Sequence, residues 1–165
     1  MKRTWAPQGQ TPTRCTSLAH NERVNLIGAI RVTPGQRKLK LHQQSHRRSI
    51  RGDEVVEFLS HLSRQIRGPT ELLWDRHPIH RRRNVKDWLG RHPRVKVYEF
   101  PVSAPELNPV ELVWTQLCEY TAGTAPHNGS ELVGNVRAGI ARTRNSQSRL
   151  WACIAGSGLA WPSTQ

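Results

Sequence analysis

Two acidic residues, Asp75 and Glu111, stand at positions where a carboxylate can do chemistry. Asp75 ends a short apolar segment, Leu72–Asp75, in a chain that has only three aspartates. A carboxylate at the tip of a buried strand lowers stability unless it is solvated, paired with a cation or bound to a metal ion. Paired carboxylates commonly hold Mg²⁺ in phosphoryl-transfer sites. Both residues are therefore candidate catalytic groups and metal ligands.

Each of these acids also has a structural interpretation. Asn108 suits the N-cap of a helix, Pro109 suits its first position, and Glu111 falls where a capping box places its acid. Taken alone, this cap is the favoured interpretation of Glu111. For Asp75 the alternative is an ion pair with Arg76 or Arg81. The metal interpretation requires that the strands before the two acids are neighbours in one sheet.

The hydrophobic patterns predict an α/β fold with a mixed sheet, flanked by helices, in a single domain over residues 1–165. A loop-rich start covers 1–22, with a short strand at Arg3–Ala6, and a linker covers 121–129. The predicted elements are strands Arg23–Ile30 and Lys38–His42 joined by a turn at Pro34 and Gly35, strands Leu72–Asp75 and Val95–Phe100, and helices Asp53–Ile66 (capped by Asp53), Asn84–Gly90, Pro109–Tyr120, Ser130–Thr143 and one around Leu150–Ile154.

Composition narrows the classes of protein further. The net charge is +13 and the pI about 11.2, which favours a polyanionic partner such as DNA. No run of 18 apolar residues or signal-peptide pattern is present, so no membrane role and a cytoplasmic location are expected. The three cysteines are far apart and predict reduced thiols.

The positive residues are clustered, and one cluster directly follows Asp75. Two histidines in it, His77 and His80, have a spacing that a zinc site also uses, but no matching Cys or His partners support one. A polar helix entrance is the favoured interpretation of this pair. The candidate DNA-binding residues are Arg76, His80, Arg81, Arg82, Arg83, Arg47 and Arg48.

The sequence resembles the DDE transposases of mariner-type bacterial insertion sequences, which have an RNase H-like catalytic domain. The matching segments include LLWDRHPIHR around Asp75 and APELNPVELVW around Glu111, with 35 residues between the two acids. Further matches are RTWAPQGQTP, RVNLIGAI, GDEVVEFLSHL and the tail RLWACIAGSGL. The family more often has Asn where this chain has Arg76.

This resemblance implies metal-dependent DNA strand cleavage and strand transfer during transposition. It makes Asp75 the second and Glu111 the third acid of a catalytic triad that binds Mg²⁺ or Mn²⁺. The implied partners are DNA at the transposon ends and at the target, and the implied location is cytoplasmic and nucleoid-associated.

The resemblance also predicts a missing part. In the family the first catalytic aspartate lies on a strand shortly before the RTWAP-like segment, whereas here Met1 stands two residues before Arg3. We therefore expect a truncated domain that lacks the first strand, its aspartate and the N-terminal helix-turn-helix region, and that is impaired as an enzyme. A complementing upstream fragment would supply both the strand and the aspartate, and a homodimer is the other expected protein partner. The alternative is a non-catalytic, basic DNA-binding remnant.

Overall fold

The computed structural model describes residues 23–33, 38–124 and 126–159 of the chain. The predicted loop-rich start at 1–22, its strand Arg3–Ala6 and the turn at Pro34 and Gly35 lie outside these residues. The described strands are β1 (Asn25–Val32), β2 (Leu39–His46), β3 (Thr70–Trp74) and β4 (Val95–Glu99), and the described α-helices are α1 (Gly52–Gln65), α2 (Arg83–Gly90), α3 (Pro109–Ala122), α4 (Gly129–Arg144) and α5 (Gln147–Gly156).

The four strands form two small sheets. β1 and β2 pair antiparallel, which confirms the predicted hairpin partners. β3 and β4 pair parallel, with Thr70 opposite Val95 and Trp74 opposite Glu99. The α/β class is thereby confirmed, and the strands before Asp75 and Glu111 are neighbours, as the metal interpretation requires. Within the described residues, however, the mixed pairing is divided between two sheets.

The two faces of β1 contact two different cores. Leu26 and Ile30 pack against the larger core, in which side chains of β2, α3, α4 and α5 meet. Gly28 lies on the same face, and a Cβ atom there would be 2.8 Å from Cη2 of Trp114, so the glycine allows α3 to approach the strand closely. Ile27 points the other way. The hairpin is therefore a layer between two groups of helices.

The smaller core lies between α1, α2 and the parallel strands. Val55 and Leu59 of α1 meet Val85 and Trp88 of α2, and all four are buried. Leu72, Trp74 and Val95 of the parallel sheet pack against this cluster, as does Ile27 of β1. Because both sheets pack on it, this core fixes the ends of β3 and β4 relative to the rest of the molecule.

Most predicted boundaries differ from the observed ones, and three of these differences have a local reason. Strand β2 continues to His46, since its polar second half still pairs with β1. Helix α1 starts at Gly52, so Asp53 is not its cap; its Oδ1 instead accepts a hydrogen bond from Asn84 at 2.6 Å. The predicted linker 121–129 starts too early in the chain, because α3 continues to Ala122.

Of the helices that the structure describes, none combines the length and apolar character needed to cross a membrane.

Candidate active site

The parallel sheet brings the residue after β3 next to the residue after β4. The Phe100 N–H donates to the Trp74 carbonyl oxygen at 2.9 Å, so strand pairing continues to the edge of the sheet. Asp75 follows Trp74 and therefore stands at this edge. The chain then leaves β4 through Phe100–Ala104 and reaches α3. Both acid-bearing segments thus start from one end of the sheet.

A cleft of about 310 Å³ opens at this end of the sheet, and Asp75 and Glu111 both line it. Its walls come from the segment after β3, from the segment between β4 and α3, and from the start of α3. The other lining residues are Arg76, His77, Phe100, Pro101, Val102, Ser103, Ala104, Pro105 and Asn108.

Local signals in the sequence place Glu111 at the start of α3. The Asn108 side chain accepts a hydrogen bond from the Val110 N–H at 3.2 Å, and Pro109 occupies the first helical position. These are the predicted cap and first residue. The reciprocal half of the capping box, a hydrogen bond from the Asn108 backbone N–H to the Glu111 carboxylate, is not formed, since that N–H donates to the Pro105 carbonyl oxygen at 3.0 Å. The predicted cap by Asn108 and Pro109 is confirmed, and Glu111 stands in the first turn of α3 without completing the capping box.

The Glu111 carboxylate instead lies in an environment that disfavours its charge. Partial burial in the cleft raises its pKa, and the negative charge of Asp75 raises it further. The Asp75 carboxylate thus adds negative charge to the surroundings of Glu111, and both line the same cleft. A cation bound between them would relieve both effects.

Asp75 is held by two donors that follow it in the chain. The His77 N–H donates to Asp75 Oδ1 at 3.0 Å, and His80 Nε2 lies 3.1 Å from the same oxygen. The His80 ring stacks on the Trp74 indole, with centroids 4.2 Å apart. Burial lowers the pKa of His80, although Asp75 opposes this shift.

The ion pair predicted as an alternative for Asp75 is not present. Arg76 Nε lies 3.3 Å from Glu99 Oε2 and donates to the Phe100 carbonyl oxygen at 3.0 Å. Arg81 reaches the same carboxylate, with Nη2 3.5 Å from Glu99 Oε2. Glu99 lies at the end of β4, where its carboxylate forms ion pairs with both arginines at the sheet edge. Asp75 is left without an arginine partner among the described residues.

The zinc interpretation of His77 and His80 has no support in the structure. His77 Nδ1 accepts from the Ile79 N–H at 3.3 Å and thereby caps the short 3-10 helix Pro78–Arg81. The pair thus stands at a helix start, as the favoured interpretation had it, although this 3-10 helix itself was not predicted. Over the described ranges, no group of three or more His, Cys, Asp or Glu side chains is placed to hold a metal ion.

The remaining basic candidates lie outside the cleft lining. Arg48 forms an ion pair with Glu54 at 3.1 Å, and its side chain is 84% exposed. Arg83 is 95% exposed and lies 3.9 Å from Asp87. Arg47 and Arg82 are also exposed. Their role in DNA binding stays a prediction.

Sequence reasoning missed three contributors to the site. Glu99 holds two arginines, Trp74 supports His80, and Ser103 has a φ of 57° in the cleft wall. Alternation in VKVYE places Glu99 on the same face as the half-buried Val95 and Val97, so the sequence pattern gives no signal for its exposed position. The stacking of Trp74 on a histidine six residues later depends on the 3-10 helix, which the sequence pattern did not predict.

Other acids do not reach the cleft. Asp53 is bonded to Asn84, Glu54 accepts from the Arg51 N–H at 2.9 Å, and Glu57 lines a separate polar cleft beside β2. Glu71 stands opposite Lys96 in the parallel sheet. Among the described residues, the carboxylates of the candidate site are therefore those of Asp75 and Glu111.

An α/β fold with an acidic pair at one sheet edge, and arginines beside it, is typical of enzymes that transfer phosphoryl groups. The sequence model of the DDE superfamily endonucleases matches residues 1–132, which include both acids. The chain belongs to this family. DDE superfamily endonucleases use divalent metal ions, and membership implies a DNA substrate.

Comparison with solved structures found a match to the catalytic domain of the Mos1 mariner transposase. The two are 14% identical, with a TM-score of 0.48, and the match covers 86% of this chain and 85% of that one. No curated protein sequence matches the chain significantly.

Proposed function

We propose that this chain is the catalytic domain of a transposase of mariner-type insertion sequences, which cleaves DNA strands and transfers them. The observation that carries the proposal is that Asp75 and Glu111, distant in sequence, line one cleft, where the charge of Asp75 raises the pKa of Glu111. Family membership supports the same reaction class.

Asp75 and Glu111 would hold a divalent ion, Mg²⁺ or Mn²⁺. The donor set fits these ions, since both are hard cations that take carboxylate oxygens and complete their shells with water and substrate oxygens. Two carboxylates that line one cleft favour a cation bound between them. When bound, the ion would activate water or a 3′-hydroxyl and neutralise charge on the phosphoryl group.

The protein's own part is to position these groups and the DNA. The Asn108 cap and Pro109 fix the start of α3, which holds Glu111 at the cleft. The Arg76 and Arg81 side chains, held by Glu99, place positive charge beside Asp75 without neutralising it. The exposed arginines Arg47, Arg48, Arg82 and Arg83 would contact phosphates of the transposon ends and the target. A DNA partner of this kind implies association with the bacterial nucleoid.

We also propose that the chain is impaired when it acts alone. Two carboxylates reach the cleft from the described residues, whereas the family's reaction uses three. An upstream fragment would supply the third acid and the strand that carries it, and a homodimer is the other proposed partner.

Nicking of supercoiled plasmid DNA with Mg²⁺ or Mn²⁺ tests both proposals. We expect little nicking by the chain alone and metal-dependent nicking when a fragment carrying the missing aspartate is added. Asp75→Asn and Glu111→Gln should abolish the complemented activity, because each removes a ligand. Glu106→Gln is the matched control, since Glu106 lies in the same segment but outside the cleft lining.

The outcomes separate the possibilities. Robust nicking by the chain alone that Asp75→Asn abolishes contradicts impairment but supports the active site. Complemented activity that survives Asp75→Asn and Glu111→Gln contradicts the site itself. Salt-dependent DNA binding with no metal requirement, and no nicking under any condition, supports the alternative of a non-catalytic DNA-binding module.

A further inference from the structure

We propose that His80 is a positioning residue for Asp75: its ring, held against Trp74, fixes Asp75 Oδ1 and leaves Oδ2 directed to the metal ion. This inference rests on the proposed function, because it assigns a role toward the same ion. It gives His80, which the charge pattern suggested only as a DNA-binding residue, a role toward Asp75.

The hydrogen bonds of Asp75 are unequal at its two oxygens. His80 Nε2, at 3.1 Å, and the His77 N–H, at 3.0 Å, both meet Oδ1. Among the described residues no hydrogen bond reaches Oδ2. A carboxylate fixed through one oxygen keeps the other free as a ligand with a defined direction, which is how a residue behind a ligand raises metal affinity.

The His80 ring is itself fixed in place. It stacks on Trp74 at 4.2 Å between centroids and 17° between planes. Its side chain is 14% exposed, whereas that of Asp75 is 52% exposed. The ring is thus a buried support behind a carboxylate that faces solvent. Since Trp74 belongs to β3 and packs against the smaller core, the support is anchored to the sheet.

The neighbouring arginines pair with Glu99 and not with Asp75, so among the described residues His80 is the side chain that contacts the Asp75 carboxylate. Glu99 holds both Arg76 and Arg81. An arginine bonded to Asp75 in a bidentate manner would occupy both of its oxygens and compete with a metal ion. A single ring N–H orients the carboxylate and leaves its second oxygen available.

The geometry also defines which ring nitrogen carries the proton. Nε2 must be the donor to Asp75 Oδ1, because a carboxylate oxygen only accepts. Nδ1 is buried and has no hydrogen-bond partner within the described part of the chain. The Nε2–H form of His80 is therefore a direct consequence of the proposal that can be observed without any metal.

The test uses the full chain and Mn²⁺ as the probe, with free Mn²⁺ followed by electron paramagnetic resonance. His80→Phe keeps a ring on Trp74 but removes the donor, and we expect a loss of Mn²⁺ affinity of about tenfold or more. His80→Gln restores an amide N–H near the position of Nε2 and should recover part of the affinity. His92→Phe is the matched control, since His92 also stacks on a tryptophan, Trp88, at 3.8 Å.

Each result has a defined meaning. Binding that Asp75→Asn abolishes but His80→Phe leaves unchanged overturns the positioning role while the proposed function stands. Absence of Mn²⁺ binding by the wild-type chain overturns the proposed metal site and the positioning role together. If a variant fails to fold, a second measurement on the wild-type chain still tests the proposal. The ¹⁵N NMR signals of the His80 ring should show the Nε2–H form. The Nδ1–H form would overturn the proposal.

Discussion

His42 on β2 is a buried histidine in an environment of positive charge. It is 4% exposed, its Nε2 is buried without a hydrogen-bond partner among the described residues, and its ring lies edge-on to that of His61. Burial lowers its pKa from 6.5 to about 4, and the charges of Lys40, His61 and Arg31 add to this shift. The folded chain thus keeps His42 neutral where the unfolded chain protonates it.

This shift predicts acid sensitivity of the fold. Between pH 6.5 and about 4 the unfolded state binds more protons at His42, so stability falls as pH falls, by no more than about 3 kcal/mol. His42→Gln removes this contribution and should flatten the dependence of Tm on pH in that range. Ser45→Ala, a change of an exposed, non-titrating residue on the same strand, should keep the wild-type slope. Equal slopes in the wild type and His42→Gln would contradict the assignment.

For the candidate acids, residue type and the neighbouring residues in the sequence were enough to select Asp75 and Glu111 as a pair. They were not enough to select their partners. Arg76 and Arg81 are adjacent to Asp75 in sequence, yet Glu99 holds them because it lies at the end of the neighbouring strand. That competition is decided by the register of the parallel sheet, which a sequence pattern does not specify.

Arg94 shows how one side chain joins two elements. It precedes β4, and its guanidinium donates to the carbonyl oxygens of Ser63, Ile66 and Gly68 around the end of α1, at 2.6 to 2.8 Å. These carbonyls have no partners within the helix, and a cation there also favours the helix dipole. Arg94 therefore links the end of α1 to the start of the strand whose other end bears Glu99.

Removing this link should destabilise the fold measurably. Arg94→Met keeps most of the aliphatic bulk but loses the charged hydrogen bonds, so we expect a decrease in the free energy of unfolding of about 1.5–3 kcal/mol. Urea denaturation measures it. Arg91→Met, a nearby exposed control, should change stability by less than about 0.5 kcal/mol. A similar small effect at Arg94 would show that water replaces these bonds.

Two glycines of α4 give an internal comparison of packing and helix propensity. A Cβ atom at Gly139 would lie 2.6 Å from Leu117 Cδ1 and 2.9 Å from Tyr120 Cδ1, both on α3, whereas Gly134 has nothing within 4 Å. Gly139 therefore sets how closely α3 and α4 pack. Since α3 carries Glu111, this contact also bears on the site.

Alanine at these two positions should have opposite effects. Gly134→Ala should stabilise the chain by about 0.5–1 kcal/mol through helix propensity. Gly139→Ala has the same propensity gain but adds a clash that costs about 1–3 kcal/mol, so it should be destabilising overall. Thermal and urea unfolding of the two variants measure the difference. Equal stabilisation by both would contradict the close contact between α3 and α4.

At the level of elements, the sequence predicted every helix and strand that the structure describes except the two 3-10 helices, with errors at their ends. Helix α5 follows the expected pattern, since Leu150 and Ile154 are buried. What it did not predict is the division of the strands into two sheets. Strand pairing depends on contacts between distant segments, such as Ile27 against the core of α1 and α2, and periodicity alone contains no information on these.

The positively charged side chains of the molecule are not equally available for binding DNA. The net charge is +13; Arg76 and Arg81 pair with Glu99, whereas Arg82 and Arg83 are exposed at the start of α2. Arg91 lies at the opposite end of α2, before β4 begins. These positions allow a general electrostatic attraction to be separated from a defined DNA contact.

The separation is made by the salt dependence of DNA binding, measured with EDTA present so that metal plays no part. A side chain that contacts one phosphate contributes about 0.9 to the slope of log K against log salt concentration. Arg82→Ala and Arg83→Ala should each reduce the slope by about that amount, whereas Arg91→Ala should weaken binding slightly and leave the slope unchanged. Equal reductions from all three variants would show that DNA responds to net charge alone, and Arg82 and Arg83 would then have no defined contact.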